Sequence, residues 1–525
     1  MLYRYFVFIF LSACLLAGGS SCKKMLDVES SRLVGEGNMW KTVEDARAGL
    51  IGVYGLMRAA LCDNDRHWIY GDVRTVNGEG GDFRSVTRLD LKAITGNNLL
   101  SAYPVVQSLC DWSRFYAVVN AANIFIEHAP DIVNTDKTYL TTDLKLDMAH
   151  ARYLRALAYF YMVRIWGDVP LIVSSHDGDF VNKPRDDWHK VLAFVESELL
   201  TVAPELPVVY DKGDPLQTRT PYYNMEEEIA KRHTAYAILA HAYAWEGKYA
   251  DAAKWAQWVL DNMQLSIMDN QKMFFMNIDQ TRQMFRGEYG NNQYNIIAGF
   301  SHQFYVGESG SSGFMEELTL AAPYVSNKSL PAIYVPKDSV FSIFNQSGDT
   351  RFAIDTLTST PNSDRYFGAF DNVYPIFTKV FIIRDNNPPL NTVTGPGSDG
   401  SMIWFGSSIV LTRPAEMKLL LAEAKVVLGD NAGAVRLLNE WRTGYRGLKD
   451  YNPEVDETVL DAIFSERRKE FMGEGWRWYD YVRFQRIKNN PEFNILEQSG
   501  GIYWPIASKV MAQNGLLKQY SYWNK

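Results

Sequence analysis

Apolar positions recur at three- and four-residue spacing over much of the chain, and that spacing predicts a mainly helical protein. The clearest stretch is 150–173, HARYLRALAYFYMVRIWGDVPLIV, where Leu154, Leu157, Tyr161 and Ile165 share one face. Ala151, Ala156 and Ala158 let a neighbouring helix come close, Gly167 supplies the end cap and Pro170 lies just beyond it. Arg152, Arg155 and Arg164 are too frequent for a wholly buried helix, so they should snorkel or pair with acids on adjoining elements. Further helices are expected at 40–60 (Ala46, Leu50, Val53, Tyr54 and Met57 on one face), 105–128 (Trp112, Tyr116, Val119) and 188–202, the last closed by Pro204 and Pro207.

Two stretches share a repeat pattern. In 229–262, Leu239, Ala240 and Tyr243 precede Gly247, and Tyr249, Ala252, Ala253 and Ala256 follow it. In 415–442, Leu420, Ala422 and Glu423 precede Gly429, and Ala434, Leu437 and Leu438 follow. Large, small and aromatic residues around a glycine turn match the tetratricopeptide pattern. The units are far apart in the chain, so they do not form a simple solenoid.

The helical period fails at 62–103, which places glycines among aromatic and charged residues, and a long irregular stretch of that kind points to function. Its candidate binding residues are Trp68, Tyr70, Asp72, Arg74, Asp82, Arg84, Asn97, Asn98 and Tyr103. The region 265–411 is mixed, with short strands expected at 295–304 and 375–383, and loops at 307–313 and 385–401. Tyr289, Tyr294 and Tyr305 there could form a second binding wall, and Asp349 and Arg351 should pair or cap locally. The segment 465–484, SERRKEFMGEGWRWYDYVRF, reads as a charged helix in which Glu466 can reach Lys469 and Glu470, then a glycine break, then aromatics.

The chain of 525 residues is 47% hydrophobic, enough for a large core, and its net charge of -8 argues against a nucleic-acid partner. With 30 Tyr and 14 Trp it has more of both than core packing requires, which suits the holding of flat, partly apolar ligands or protein partners. Residues 1–21 read as a secretory signal: Arg4, an apolar run at 6–17, then small residues ending at Cys22. The Ser-Ser-Cys ending resembles a bacterial lipobox, so Cys22 is expected to carry lipid and 22–38 to tether the body, 39–525, as one domain with binding loops at about 62–103 and 265–411. Cys62 and Cys110 remain as an even pair in an exported protein, and whether they form a disulfide is left open.

Six stretches, taken together and in order, resemble the SusD/RagB family of surface lipoproteins: 40–54, 151–170, the Gly247 repeat, 413–424, 466–483 and 504–514. The resemblance implies four tetratricopeptide-like helix pairs along one side, packed against a loop-rich part with short strands. It also implies a lid-like position over a SusC-like TonB-dependent outer-membrane transporter, and a glycan or peptide as ligand. The family's ligand residues lie in variable loops, so none is carried over.

The favoured expectation is surface capture of oligosaccharide or polysaccharide, since sugars need flat rings for their C–H faces and carboxylate, amide or guanidinium groups for their hydroxyls. A peptide binder of the same family is the alternative. A glycoside hydrolase would need a paired set of carboxylates, and nothing singles out such a pair. GxSxG, HExxH and CxxC are all missing, and His233 and His241 read as structural. No cofactor is expected and no metal-ligand set is singled out; whether Ca²⁺ assists binding is left open.

Overall fold

The structure is a computed structural model that describes residues 39–175, 182–210, 229–265, 273–285, 295–300, 312–325, 328–355, 360–361, 365–384 and 404–524. The signal segment, Cys22 and the tether lie outside these residues, as do Tyr289, Tyr294 and Tyr305.

Ten helices carry the argument: α1 (Val43–Cys62), α2 (Ser113–Thr135), α3 (Thr141–Trp166), α4 (Trp188–Val202), α5 (Arg232–Glu246), α6 (Tyr249–Asp261), α7 (Pro414–Val427), α8 (Asn431–Arg446), α9 (Val459–Glu470) and α10 (Arg477–Lys488). Each of α1 to α8 packs on the next, so four helix pairs succeed one another along one side. Their ends are set locally. Thr42 and Asp45 form a capping box on α1, with Asp45 N donating to Thr42 Oγ1 at 3.2 Å and Thr42 N to Asp45 Oδ2 at 2.8 Å. Gly247, at φ 83°, makes the left-handed turn between α5 and α6.

α3 lies at the centre. It starts at Thr141, earlier than its apolar pattern suggests, and from Tyr153 to Trp166 every side chain is buried. Its arginines do not all behave as expected. Arg152 and Arg155 pair with Glu198 of α4 at 2.7 and 2.6 Å. Arg164 is buried too, and lies over the rings of Phe160 and Tyr479 at 4.0 and 4.1 Å, so aromatic faces stand in for an acid. Gly167 ends the helix at φ 69°, where a β-carbon would sit 2.4 Å from the Tyr520 hydroxyl.

The single helix expected at 105–128 is two, Pro104–Leu109 and α2, because the Asp111 carboxylate accepts from Ser113 N at 2.9 Å and starts a new helix. The strands are short, and some join distant parts of the chain. Ala298–Phe300 pairs antiparallel with Ile409–Thr412, Ile376–Phe377 with Phe367–Gly368, and Arg84–Ser85 with Ile333–Tyr334. Cys62 and Cys110 are free thiols, so no disulfide joins them; Cys110 lies buried with its Sγ 3.5 Å from the Leu99 carbonyl. None of the described helices is long and apolar enough to cross a membrane.

α9 and the turn after it form a buried ionic hub. Glu470 receives Arg446 at 2.6 Å and Arg413 at 2.8 Å, and Glu474 receives Arg413 at 2.8 Å together with Lys379. Arg351 binds Asp349 at 2.8 Å, as the sequence suggests, and also Glu466 at 2.7 Å, so Glu466 turns to Arg351. Arg467 bridges Glu416 of α7 and Asp480 of α10 at 2.7 and 2.9 Å. His233 and His241 are both buried structural groups, His241 stacked on Trp476 with Glu416 beside it.

Candidate ligand-binding site

Within 62–103, residues 65–76 fold inward and are all buried, which removes them from contact with any ligand. Gly71 explains why. A β-carbon there would lie 1.9 Å from the Gly475 carbonyl oxygen, so the two backbones touch and the segment is sealed against the turn after α9. Trp68 is only 3% exposed. Tyr70 is buried and donates to the Leu109 carbonyl at 2.6 Å. Asp72 accepts from Gly475 N at 2.6 Å, and burial pushes its carboxyl up to about 7. Arg74 donates to the Gly501 carbonyl at 3.0 Å and lies 5.0 Å over Trp478. Trp68, Tyr70, Asp72 and Arg74 therefore hold the core together and offer no face to solvent.

The other candidates separate. Asn97 donates to the Tyr522 hydroxyl at 2.8 Å, on the C-terminal tail, while Asn98 and Tyr103 are exposed just beyond it. Asp82 and Arg84 go elsewhere. Asp82 is buried and holds two guanidiniums, Arg468 Nε at 2.9 Å and Arg477 Nε at 3.2 Å. Burial alone would raise its pKa, but Arg477 and Arg468 overcome that and hold it below the usual carboxylate range.

Those two arginines belong to a cleft of about 500 Å³ lined by Glu79, Gln346, Asp456, Lys469 and Tyr481 among others. Lys469 Nζ donates to Gln346 Oε1 at 3.1 Å, and Gln346 Nε2 donates to Asp456 Oδ1 at 3.2 Å. Tyr481 is half-buried and stacks on Trp478 at 5.7 Å. Amides, carboxylates and guanidiniums thus surround a partly open ring.

The helix Lys337–Ile343 lends Ser342 and Ile343 to this cleft, while its Lys337 lies 5.6 Å over the Phe370 ring and donates to the Asp371 carbonyl at 3.3 Å. Tyr334 and Tyr374 meet edge-on, with centroids 4.7 Å apart and planes at 72°, and both are half-buried, so ring surface stays open. Arg84 is the strand partner of Tyr334, and its guanidinium is held by the carbonyls of Gly81 and Phe83 at 2.8 and 2.9 Å. Asp371, Asn372 and Val373 stand exposed just before Tyr374. Of the described binding candidates, only Arg84 reaches this platform and only Asp82 underlies the cleft. Tyr334, Tyr374, Tyr481 and Gln346 were missed. The available signal was a tyrosine beside a proline-bounded strand, in Tyr334-Val335-Pro336 and Tyr374-Pro375, outside any helical period.

Comparison with known proteins fits this architecture. Residues 393–496 match the model of the SusD family. The crystal structure of a SusD superfamily protein from Bacteroides thetaiotaomicron shares 38% identity, covers 93% of this chain and 100% of that one, and superposes with a TM-score of 0.78. The chain belongs to the SusD family. A SusD-like protein, P38, of Formosa agariphila is 26% identical over 538 residues, 95% of each chain. A structure described as a laminarin binding SusD-like protein shares the fold, with a TM-score of 0.64, 20% identity and coverage of 91% of this chain and 99% of its own.

Proposed function

We propose that this SusD-family chain captures oligosaccharide or polysaccharide at the cell surface, anchored by lipid on Cys22 after removal of 1–21, and passes it to a TonB-dependent outer-membrane transporter. Residues 22–38 act as the tether and 39–525 as the binding domain. The observation that carries the reading is the open pair Tyr334–Tyr374 with Arg84 beside it and the polar cleft next to it. A pyranose packs its C–H face on such a ring, and its hydroxyls find guanidinium, amide and carboxylate partners at the rim. Capture is without turnover; bound chains leave intact.

Calorimetric titration of the purified protein with laminarin, starch, xylan and an oligopeptide mixture tests this. One glycan class should bind and release no new reducing ends, and Tyr334→Ala and Tyr374→Ala should each weaken it about tenfold. Binding of oligopeptides alone, or a glycan affinity indifferent to both substitutions, would overturn the reading.

A further inference from the structure

The floor of the polar cleft is short of acceptors. Arg468 of α9 and Arg477 of α10 both face Asp82, so two guanidiniums share one buried carboxylate. Arg468 takes the better share, with Nε and Nη2 both donating to Asp82. Arg477 Nε lies 3.2 Å from Asp82 Oδ2 without making a hydrogen bond, and its guanidinium has no hydrogen-bond partner among the described residues. Arg477 is nonetheless only 16% exposed. Burial pushes its pKa down, and the charge of Arg468 adds to this against the pull of Asp82.

Two neighbours on the cleft wall show the same shortage. Lys469 is buried, yet its ammonium donates to an amide, Gln346 Oε1, and has no ion pair among the described residues. Arg442 meets Asp456 through Nη1 at 3.3 Å, while its buried Nε has no partner among the described residues. The acids nearby are engaged or outside. Asp461 is held by Lys488 at 2.9 Å and Glu466 by Arg351 at 2.7 Å. Glu79 and Glu457 have no ion pair among the described residues, but both are exposed, where water and salt screen them. The buried part of the cleft is therefore cationic, and its free acids lie at the outer edge. A neutral hydroxyl brings no charge to these groups. A carboxylate or sulfate does, and it can take two parallel N–H bonds from one guanidinium. The volume of about 500 Å³ falls in the range of sites that enclose a small ligand.

We propose, building on glycan capture as read above, that the captured glycan is acidic, and that a carboxylate or sulfate on one of its sugars enters this cleft and completes the hydrogen bonding of Arg477 and Arg468.

Calorimetric titration of the purified protein with pairs of glycans that differ only in charge tests this. The pairs are oligogalacturonate against its methyl ester, and ι-carrageenan oligosaccharide against its desulfated form. One acidic member should bind at least about tenfold more tightly than its uncharged counterpart, and high salt should narrow the gap. The pair that responds tells carboxylate from sulfate. Arg477→Gln leaves Asp82 paired with Arg468 and should erase the preference, while Arg477→Lys, which keeps the charge without the planar fork, should restore part of it. Should the Arg477 variants misfold, Glu79→Gln changes an exposed side chain and should tighten the acidic member several-fold by removing a like charge from the rim. Equal binding within both pairs, or a preference unmoved by these substitutions, would overturn the proposal. Laminarin, starch or xylan bound at least as tightly as every acidic glycan, and lost in Tyr334→Ala, would leave glycan capture standing and sink the acidic ligand. Silence toward every glycan would overturn both.

Discussion

Arg413 donates to Glu470 at 2.8 Å, and neither side chain reaches solvent. A buried ion pair of this kind contributes little net stability while intact, but breaking it strands a charge. Glu470 also neutralises Arg446, so its loss strands that guanidinium and leaves Arg413 with Glu474 alone. Glu470→Gln should destabilise the protein by about 3–5 kcal/mol, read as a lower urea midpoint with an unchanged slope. An unchanged midpoint would show that water or rearrangement supplies the missing charge.

Glu416 gives the hub an acid limit. Burial pushes its carboxyl up, but His241 and Arg467 more than reverse that and hold it at about 2, against 4.5 for an ordinary glutamate. A depressed folded value means stability that is fully present above about 4.5 and is lost as the pH falls toward 2. Glu416→Gln should lower stability at pH 6 and flatten its fall between pH 4.5 and 2, measured by chemical denaturation across that range.

Glu316 has the opposite sign. It accepts from Ile382 N at 3.1 Å and from the Ser407 hydroxyl at 2.5 Å, and burial pushes it up to about 7. A raised folded value costs nothing below the unfolded value, and the cost grows as the pH rises from 4.5 to about 7. Glu316→Gln should therefore raise the melting temperature at pH 8 and leave it nearly unchanged at pH 4.5. A gain of the same size at both would mean the effect is packing rather than titration.

Trp68→Ala should cost about 3–5 kcal/mol of stability, as expected for a large ring removed from a core. Molecules that remain folded should bind glycan as the parent does. A selective loss of affinity at unchanged stability would put Trp68 back at the ligand.

Cys62 and Cys110 should both react with a thiol reagent once the protein is unfolded without reductant. In the folded state Cys62, half-buried with its thiol pushed up to about 12 by burial, should react slowly. A mass change on reduction would show that the pair is joined.

The helical frame was legible because its cues are local. Gly167, Gly247 and the period of Leu154, Leu157 and Tyr161 act within one or two turns of the chain. The break at Asp111 was equally local, and was missed because the apolar period runs on through it. The site was hidden for another reason. Trp68 and Tyr334 look alike as isolated aromatics in irregular stretches, and only tertiary contacts decide which is turned inward. The contact of Gly71 with Gly475 buries the first. The strand pairing of Arg84 with Tyr334 holds the second at the surface. Neither relationship has a signature in sequence spacing.

The grip of Asp82 on Arg468 and Arg477 also dictates an order of events. The two sides of that contact are supplied by opposite ends of the chain. A polypeptide emerging amino-terminus first carries Asp82 without its guanidiniums until α9 and α10 have followed. The floor of the cleft is then among the last parts to assemble, and a chain cut short before Arg468 can build the first helix pairs but never this binding surface.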